Sequence, residues 1–368
     1  MSADRATDHP TTRPGTLPDG RVEETGTEPI VQLRDVVKHY RTRGRGTVHA
    51  MDGVSLDIPA GSTLGLVGES GCGKSTTARL LVQLERPTSG SIVIDGIDLA
   101  RASAAERRRL RRTIQMVFQD PYASLDPRVR VGEAIAEVLA VHRLASGARR
   151  RERVAELLEM VGLPPSSATR YPHELSGGQR QRIGIARALA VQPKVLVLDE
   201  AVSALDVSVR AEVMNLLARL RRELGLTYLF ISHDLGMVRH ISDRIAVMYL
   251  GQIVEIGPWQ PVSDDPAHPY TVALQSAVPV ADPVVEAERT QVTVSGEVPD
   301  AAHPPAGCRF HPRCPLAEEQ CAVREPSLLP MPGDDGAIGS SHLLSCHVVQ
   351  RERHGATELL ARAEGIAP

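Results

Sequence analysis

The stretch TLGLVGESGCGKSTTARLLVQL, Thr63 to Leu84, decides how the rest of the chain is read. Its opening run, TLGLVG, is near-continuously apolar and ends in glycine, the texture of a strand buried on both faces. GESGCGKST then fits G-x-x-x-x-G-K-[ST], and the residues after it have helical texture. In a strand, loop and helix context the glycines let backbone N–H groups approach phosphate oxygens, and the helix N-terminus adds a favourable dipole. Gly68, Ser70, Gly71, Cys72, Gly73, Lys74, Ser75 and Thr76 are therefore expected around a nucleotide's phosphates. Lys74 would neutralise the β and γ phosphates and Ser75 would bind Mg²⁺, while the Cys72 side chain reads as a small packing group. Average residue usage gives this pattern by chance in roughly one chain in a hundred of this size.

In open α/β sheets, ligands bind at the carboxyl ends of the strands. Three further runs repeat the design of Thr63–Val67: IQMVFQ (114 to 119), VLVLDE (195 to 200) and TYLFISH (227 to 233). They end in Gln119, in Asp199 with Glu200, and in His233. Four strands closing on four phosphate- or metal-compatible groups are hard to ascribe to coincidence. The acidic pair is suggestive by itself, since buried carboxylates cost stability unless solvated or bound to a cation.

Working outward, IVQLRDVVKHY, VHAMDGVSLDIPAG and GSIVIDGIDL read as an antiparallel patch. Residues 121 to 175, with two helical patterns, read as an inserted helical subdomain. RIAVMYLGQIVEIG suggests a closing hairpin around Gly251. Strands alternating with helices imply an α/β domain with a mostly parallel sheet, spanning 29 to 257. Residues 1 to 28 are polar and Pro/Gly-rich, the composition of a disordered tail. Of the 27 prolines, 14 fall between 258 and 332, so 258 to 368 reads as a small loop-rich extension.

The 368 residues carry a net charge of -3 and only 3% aromatics, which argues against a nucleic-acid binder. No run approaches the roughly 18 to 20 apolar residues of a membrane helix, and MSADRATDHP lacks the apolar core of a signal peptide, so a cytosolic location is expected. The arginines of 101 to 112 and 149 to 153 read as solvated helix faces.

A second glycine-rich turn, LSGGQ, precedes another helix-like run. Ser176, Gly177, Gly178 and Gln179 would form a second anion site at a helix N-terminus. One nucleotide rarely needs two such loops from one chain, so a second copy of the domain could supply one across an interface.

Between Ile30 and Pro279 the chain resembles the nucleotide-binding subunits of ABC transporters, and the peptide-importer branch in particular. GESGCGKST is similar to the family's Walker A, VFQDP to its Q-loop and LSGGQ to its signature. VLVLDE matches its Walker B, SALD (203 to 206) its D-loop, and ISHD its H-loop, in family order. The resemblance implies a P-loop NTPase fold and a head-to-tail dimer with two ATP molecules between Walker A of one subunit and the signature of the other. It also implies roles: Tyr40 stacking on adenine, Gln119 bridging Mg²⁺ and the attacking water, Asp199 holding Mg²⁺, Glu200 as general base, and His233 on the γ-phosphate. Ser176, Gly177 and Gly178 would reach the partner's ATP. Implied partners are two transmembrane permease subunits, a second ATPase (a heterodimer in preference to a homodimer) and, through the permease, an extracytoplasmic substrate-binding protein. The expected location becomes the cytoplasmic face of the cell membrane.

PAHPYT (266 to 271) resembles the opening of the C-terminal extension of oligopeptide and dipeptide importer ATPases. It leads to Cys308, Cys314, Cys321 and Cys346, spaced C-x5-C-x6-C-x24-C. Close C-x2-C pairs of a zinc ribbon are missing, and cytosolic disulfides are not expected. Four thiolates suit zinc or an iron–sulfur cluster, or the thiols are simply free and buried. Some family members carry a [4Fe–4S] cluster in this tail, which the resemblance extends to these four residues. His268, His303 and His311 read as ordinary loop histidines.

Two rival functions leave marks that this sequence lacks. An ABC ATPase of chromosome or repair type needs a long coiled coil between Walker A and signature, and the roughly 100 residues available show no heptads. A silent regulatory subunit would have lost Glu200, Ser176 or His233. The transported substrate is not encoded here: peptides, glutathione and nickel complexes are all compatible with these motifs.

Overall fold

The computed structural model describes residues 28–42, 46–120, 125–278, 294, 296–332 and 342–363. The tail expected over 1 to 28 lies outside these residues, save Glu28.

Two sheets pack against a common apolar layer. Strands β1 (Pro29–Thr42), β2 (Gly46–Pro59), β4 (Ser89–Ile94) and β5 (Ile97–Asp98) form an antiparallel sheet in the order β2-β1-β4-β5, the patch expected from the sequence. The larger sheet runs β11-β12-β10-β9-β3-β8-β7-β6. Its parallel centre holds β3 (Thr63–Val67), β6 (Ile114–Val117), β7 (Val195–Asp199), β8 (Thr227–Ser232) and β9 (Arg244–Tyr249). β10 (Gln252–Pro258) returns antiparallel to β9 through a turn at Leu250 and Gly251, both with positive φ.

The apolar runs are unbroken because both faces are buried, and alternation sorts the side chains between two cores. Val195, Val197, Leu229 and Ile231 face the antiparallel sheet, together with Leu64, Leu66 and the helix Lys74–Leu81. Leu196, Leu198, Tyr228 and Phe230 face the opposite layer, whose helices include Gly177–Leu189 and Val207–Leu224. Gly65 falls on that second face. A Cβ there would sit 2.1 Å from Val238 Cγ1, so the short helix Leu235–Val238 can lie on the phosphate-loop strand only over glycine.

The helical insert consists of Val131–Val141, Gly147–Met160 and two 3₁₀ turns, packed with Gly177–Leu189. Among the described residues no helix is long and apolar enough to cross a membrane.

The composition change at residue 258 is not a break in the sheet. β12 (Leu343–Leu344) pairs with β10, and β11 (Leu329–Pro330) pairs with β12. Beneath this junction lies Glu255, with no exposed surface. Its carboxylate accepts the N–H groups of Ala267 and His268, both at 2.9 Å, and pairs with His342 Nε2 at 2.6 Å. A buried carboxylate is tolerable only when so satisfied, and its partners all come from the extension. The hairpin therefore does not close the sheet.

Candidate functional site

Parallel pairing aligns the carboxyl ends of β3, β6, β7 and β8, and there the four predicted groups meet. The phosphate loop lies hard against β2 and β9. Gly73 has φ +114, and a Cβ on it would sit 2.3 Å from the Ala50 carbonyl oxygen; a Cβ on Gly68 would strike the Met248 carbonyl at 2.1 Å. Only glycine fits either place. Cys72 is buried, burial pushes its thiol up from the ordinary range, and its carbonyl accepts the Gly251 N–H at 2.8 Å. It is a packing residue whose backbone ties the loop to the β9–β10 turn. The Lys74 ammonium is buried and donates to the carbonyls of Gly68 (2.7 Å) and Glu69 (2.8 Å), so it points into the cradle of the loop.

Ser75 Oγ donates to Asp199 Oδ1 at 3.2 Å. Burial, and beyond it the adjacent Glu200 carboxylate, push the Asp199 pKa up, against the Ser75 hydrogen bond that lowers it. A carboxylate raised in this way beside a hydroxyl is suited to a divalent cation, which would favour its charged form, and Mg²⁺ uses few protein oxygens of this kind.

Adjacent strand residues point to opposite faces. Asp199 and Glu200 serve one site because Glu200 has left the strand: its φ is +47, uncommon for a non-glycine residue and costly enough to need support. That support comes from its N–H on the Ile231 carbonyl (3.0 Å) and the Ser203 hydroxyl on its own carbonyl (2.8 Å). The turn leaves its carboxylate accepting from Gln119 Nε2 at 2.8 Å, with His233 Nδ1 3.5 Å from the other oxygen. Gln119 and His233 are exposed and converge on the carboxylate from β6 and β8.

Tyr40 stands beside the start of the phosphate-loop helix. Its hydroxyl donates to Glu85 and is also hydrogen-bonded with Thr76, at the start of the phosphate-loop helix. Lys38 Nζ lies 4.7 Å from the centre of its ring.

Ser176 to Gln179 take a different position. Ser176 caps the helix Gly177–Leu189 in a reciprocal box: its Oγ accepts the Gln179 N–H at 3.3 Å, and Gln179 Oε1 accepts the Ser176 N–H at 3.1 Å. The neighbours of the two glycines are Leu205 and Val209. A Cβ on Gly178 would strike Val209 at 2.2 Å, whereas one on Gly177 would meet only Leu205 at 3.5 Å, an ordinary contact. Packing inside the protomer thus explains Gly178 and leaves Gly177 unexplained.

Cys308, Cys314, Cys321 and Cys346 line one cavity with Phe310, Leu316 and Val348, and none is in a disulfide. Burial pushes up the thiols of Cys308, to about 11, of Cys314, to about 12, and of Cys346. Backbone N–H groups two residues on, those of Phe310, Leu316 and Val348, donate to the sulfurs of Cys308, Cys314 and Cys346. Donors aimed at sulfur stabilise thiolate, so the donor set fits a thiolate-bound metal group. Sequence reasoning brought these four together and missed what lies next to them. Arg313 forms a fork with the Glu69 carboxylate of the phosphate loop, and Arg309 pairs with Asp52. The only hint was two arginines four apart inside a cysteine-bounded loop. His39 and His49 share the Asp52 carboxylate with Arg309, a mutually satisfied network.

Comparison with known proteins finds two families along the chain. Residues 51–203 match the family described as "ABC transporter", and residues 254–321 match "Oligopeptide/dipeptide transporter, C-terminal region". The oligopeptide transport ATP-binding protein AppF of Bacillus subtilis is 48% identical over 328 residues, covering 87% of this chain and 98% of that protein. The di/tripeptide transport ATP-binding protein DppF of Pseudomonas aeruginosa is 49% identical over 306 residues, 82% of this chain and 94% of that one. Among solved structures, the dimeric post-hydrolysis state of the ATP-binding cassette MJ0796 bound to ADP and Pi is 34% identical with a TM-score of 0.57. It covers 62% of this chain and 98% of that one.

Proposed function

Because the chain belongs to the ATP-binding subunits of the oligopeptide and dipeptide ABC importers, we propose that it powers peptide import as one of two ATPases docked on a membrane permease. It is an ABC-type ATPase. The observation that carries the mechanism is the meeting of four strand ends on Glu200, with Asp199 and Ser75 beside it. Lys74 and the loop amides bind the β and γ phosphates, and Ser75 and Asp199 hold Mg²⁺. Glu200 takes the proton of the attacking water, Gln119 links that water to the cation, and His233 contacts the γ-phosphate. Tyr40 offers the base the ring face turned away from Lys38.

Ser176, Gly177 and Gly178 serve the ATP bound by a second, related ATPase, with a heterodimer favoured. Gly177, with no packing reason to be glycine, supports this reading. Gly177→Ala is expected to leave protomer stability within about 1 kcal/mol in thermal melts, as an open helix-start position allows. ATP-dependent pairing, followed by size exclusion, should be lost or weakened.

Exposed Phe118 and Val141 border a groove with Gln115, Val138, His142 and Arg187, between the end of β6 and the helical insert. An apolar groove next to Gln119 suits the permease contact, which would place the subunit at the cytoplasmic face of the membrane. Peptide as cargo follows the named relatives, delivered to the permease by an extracytoplasmic binding protein. The four cysteines hold a [4Fe–4S] cluster. Backbone N–H groups aimed at the sulfurs of Cys308, Cys314 and Cys346 support a thiolate-bound group in their shared cavity.

Purification of the native complex without oxygen tests this. Two permease subunits, a second ATPase and protein-bound iron are expected in one particle. A solitary ATPase would overturn the transport reading, and an iron-free particle the cluster.

A further inference from the structure

The loop bounded by Cys308 and Cys314 presses on the outer side of the phosphate site. Phe310, fully buried, anchors it against Tyr249 and Tyr270, with ring centres 5.3 and 5.4 Å away. On either side of that anchor an arginine reaches into the ATPase core. Arg309 donates to the Leu250 carbonyl and to Asp52. Arg313 Nη1 donates to Glu69 Oε2 at 2.8 Å and Nη2 to Glu69 Oε1 at 3.0 Å, and Nη1 also reaches the Tyr249 hydroxyl at 3.3 Å.

Glu69 is the second residue of GESGCGKST. Its N–H donates to the Tyr270 hydroxyl at 2.8 Å, and its carbonyl is one of the two that hold the Lys74 ammonium. The residue is therefore fixed at its side chain and N–H by the extension, and at its carbonyl by the lysine that meets the phosphates. Exposed ion pairs contribute little, but this one is bidentate and its arginine side chain is only 9% exposed. Arg313 in turn directly precedes Cys314, and the far end of the loop is tied down by the Cys308 N–H on the Cys321 carbonyl at 2.8 Å. Where the four sulfurs are gathered on one centre, both ends of the loop are fixed and the guanidinium fork is delivered in register with the carboxylate.

We propose that Arg313 is a positioning residue for the phosphate loop, and that through it the four-cysteine site sets the affinity for nucleotide. This rests on the reading of Gly68 to Thr76 as the phosphate site. The coupling runs through one named contact, so it predicts a pattern of dependence as well as a loss.

The test is equilibrium titration of the full chain with a fluorescent ATP analogue and Mg²⁺, with circular dichroism as the check of folding. Arg313→Gln is expected to weaken binding roughly five- to thirtyfold, within the range of such couplings. Glu69→Gln should do the same, the double variant should be no worse than either single, and Arg313→Lys should fall between. Cys314→Ser should weaken binding in the wild-type chain and change nothing further in Arg313→Gln. Wild-type affinity in folded Arg313→Gln or in Glu69→Gln overturns the proposal, as do losses that multiply when Cys314→Ser and Arg313→Gln are combined. Should Lys74→Ala also bind like wild type, it is the phosphate-site reading that fails.

Discussion

Glu200→Gln is expected to bind ATP as tightly as the wild type and to hydrolyse it at least about a hundredfold more slowly. General-base catalysis is typically worth about 10² to 10⁴ in rate, and every contact of the Glu200 carboxylate serves to aim it. Gln119 fixes one oxygen at 2.8 Å, and the positive φ of Glu200 lifts the side chain out of the β7 alternation towards the site. An amide of the same shape keeps the turn, the Ser203 cap and the backbone bond to Ile231, all of which are main-chain contacts. It cannot accept the proton. Single-turnover phosphate release alongside a binding titration separates the two effects, and wild-type turnover would remove Glu200 from its role.

Lys74→Ala should fail one step earlier. The ammonium is buried against two carbonyls, and its loss removes both the charge facing the phosphates and its hydrogen bonds to those acceptors. Truncating one member of a buried, hydrogen-bonded charge pair costs about 2 to 5 kcal/mol, so nucleotide affinity should fall by roughly thirtyfold or more. Calorimetric titration with ATP and Mg²⁺ checks this. Affinity within about threefold of wild type would overturn the reading of Gly68 to Thr76 as the phosphate site. The two variants thus differ in kind: Glu200→Gln holds nucleotide and stalls, and Lys74→Ala scarcely holds it.

The parallel strands were legible because burial on both faces leaves an unbroken apolar run, and the motif residues because each closes such a run. The antiparallel patch was legible from its β-branched texture and its glycines. What escaped has equally physical causes. β11 and β12 are two residues each, too short to carry a period, so the continuation of the main sheet past residue 258 left no trace in the sequence. The turn at Glu200 is held by contacts to Ile231 and Ser203, and nothing local marks a glutamate as leaving the strand. The fork between Glu69 and Arg313 joins residues 244 apart, a separation at which neither charge names the other. The four cysteines could be counted, but their convergence depends on the last of them following a strand that docks on β10.

That docking bears on how the protein is made. Glu255 is translated 87 residues before the histidine that completes its pairing. At roughly 5 to 20 residues per second the wait is roughly 4 to 17 s, during which β10 is an open edge above a carboxylate that lacks its histidine partner. The ATPase core therefore cannot finish folding when its own last strand leaves the ribosome. It must hold an incomplete sheet until the extension arrives, and a nascent chain stalled before His342 is the form most exposed to edge-to-edge association.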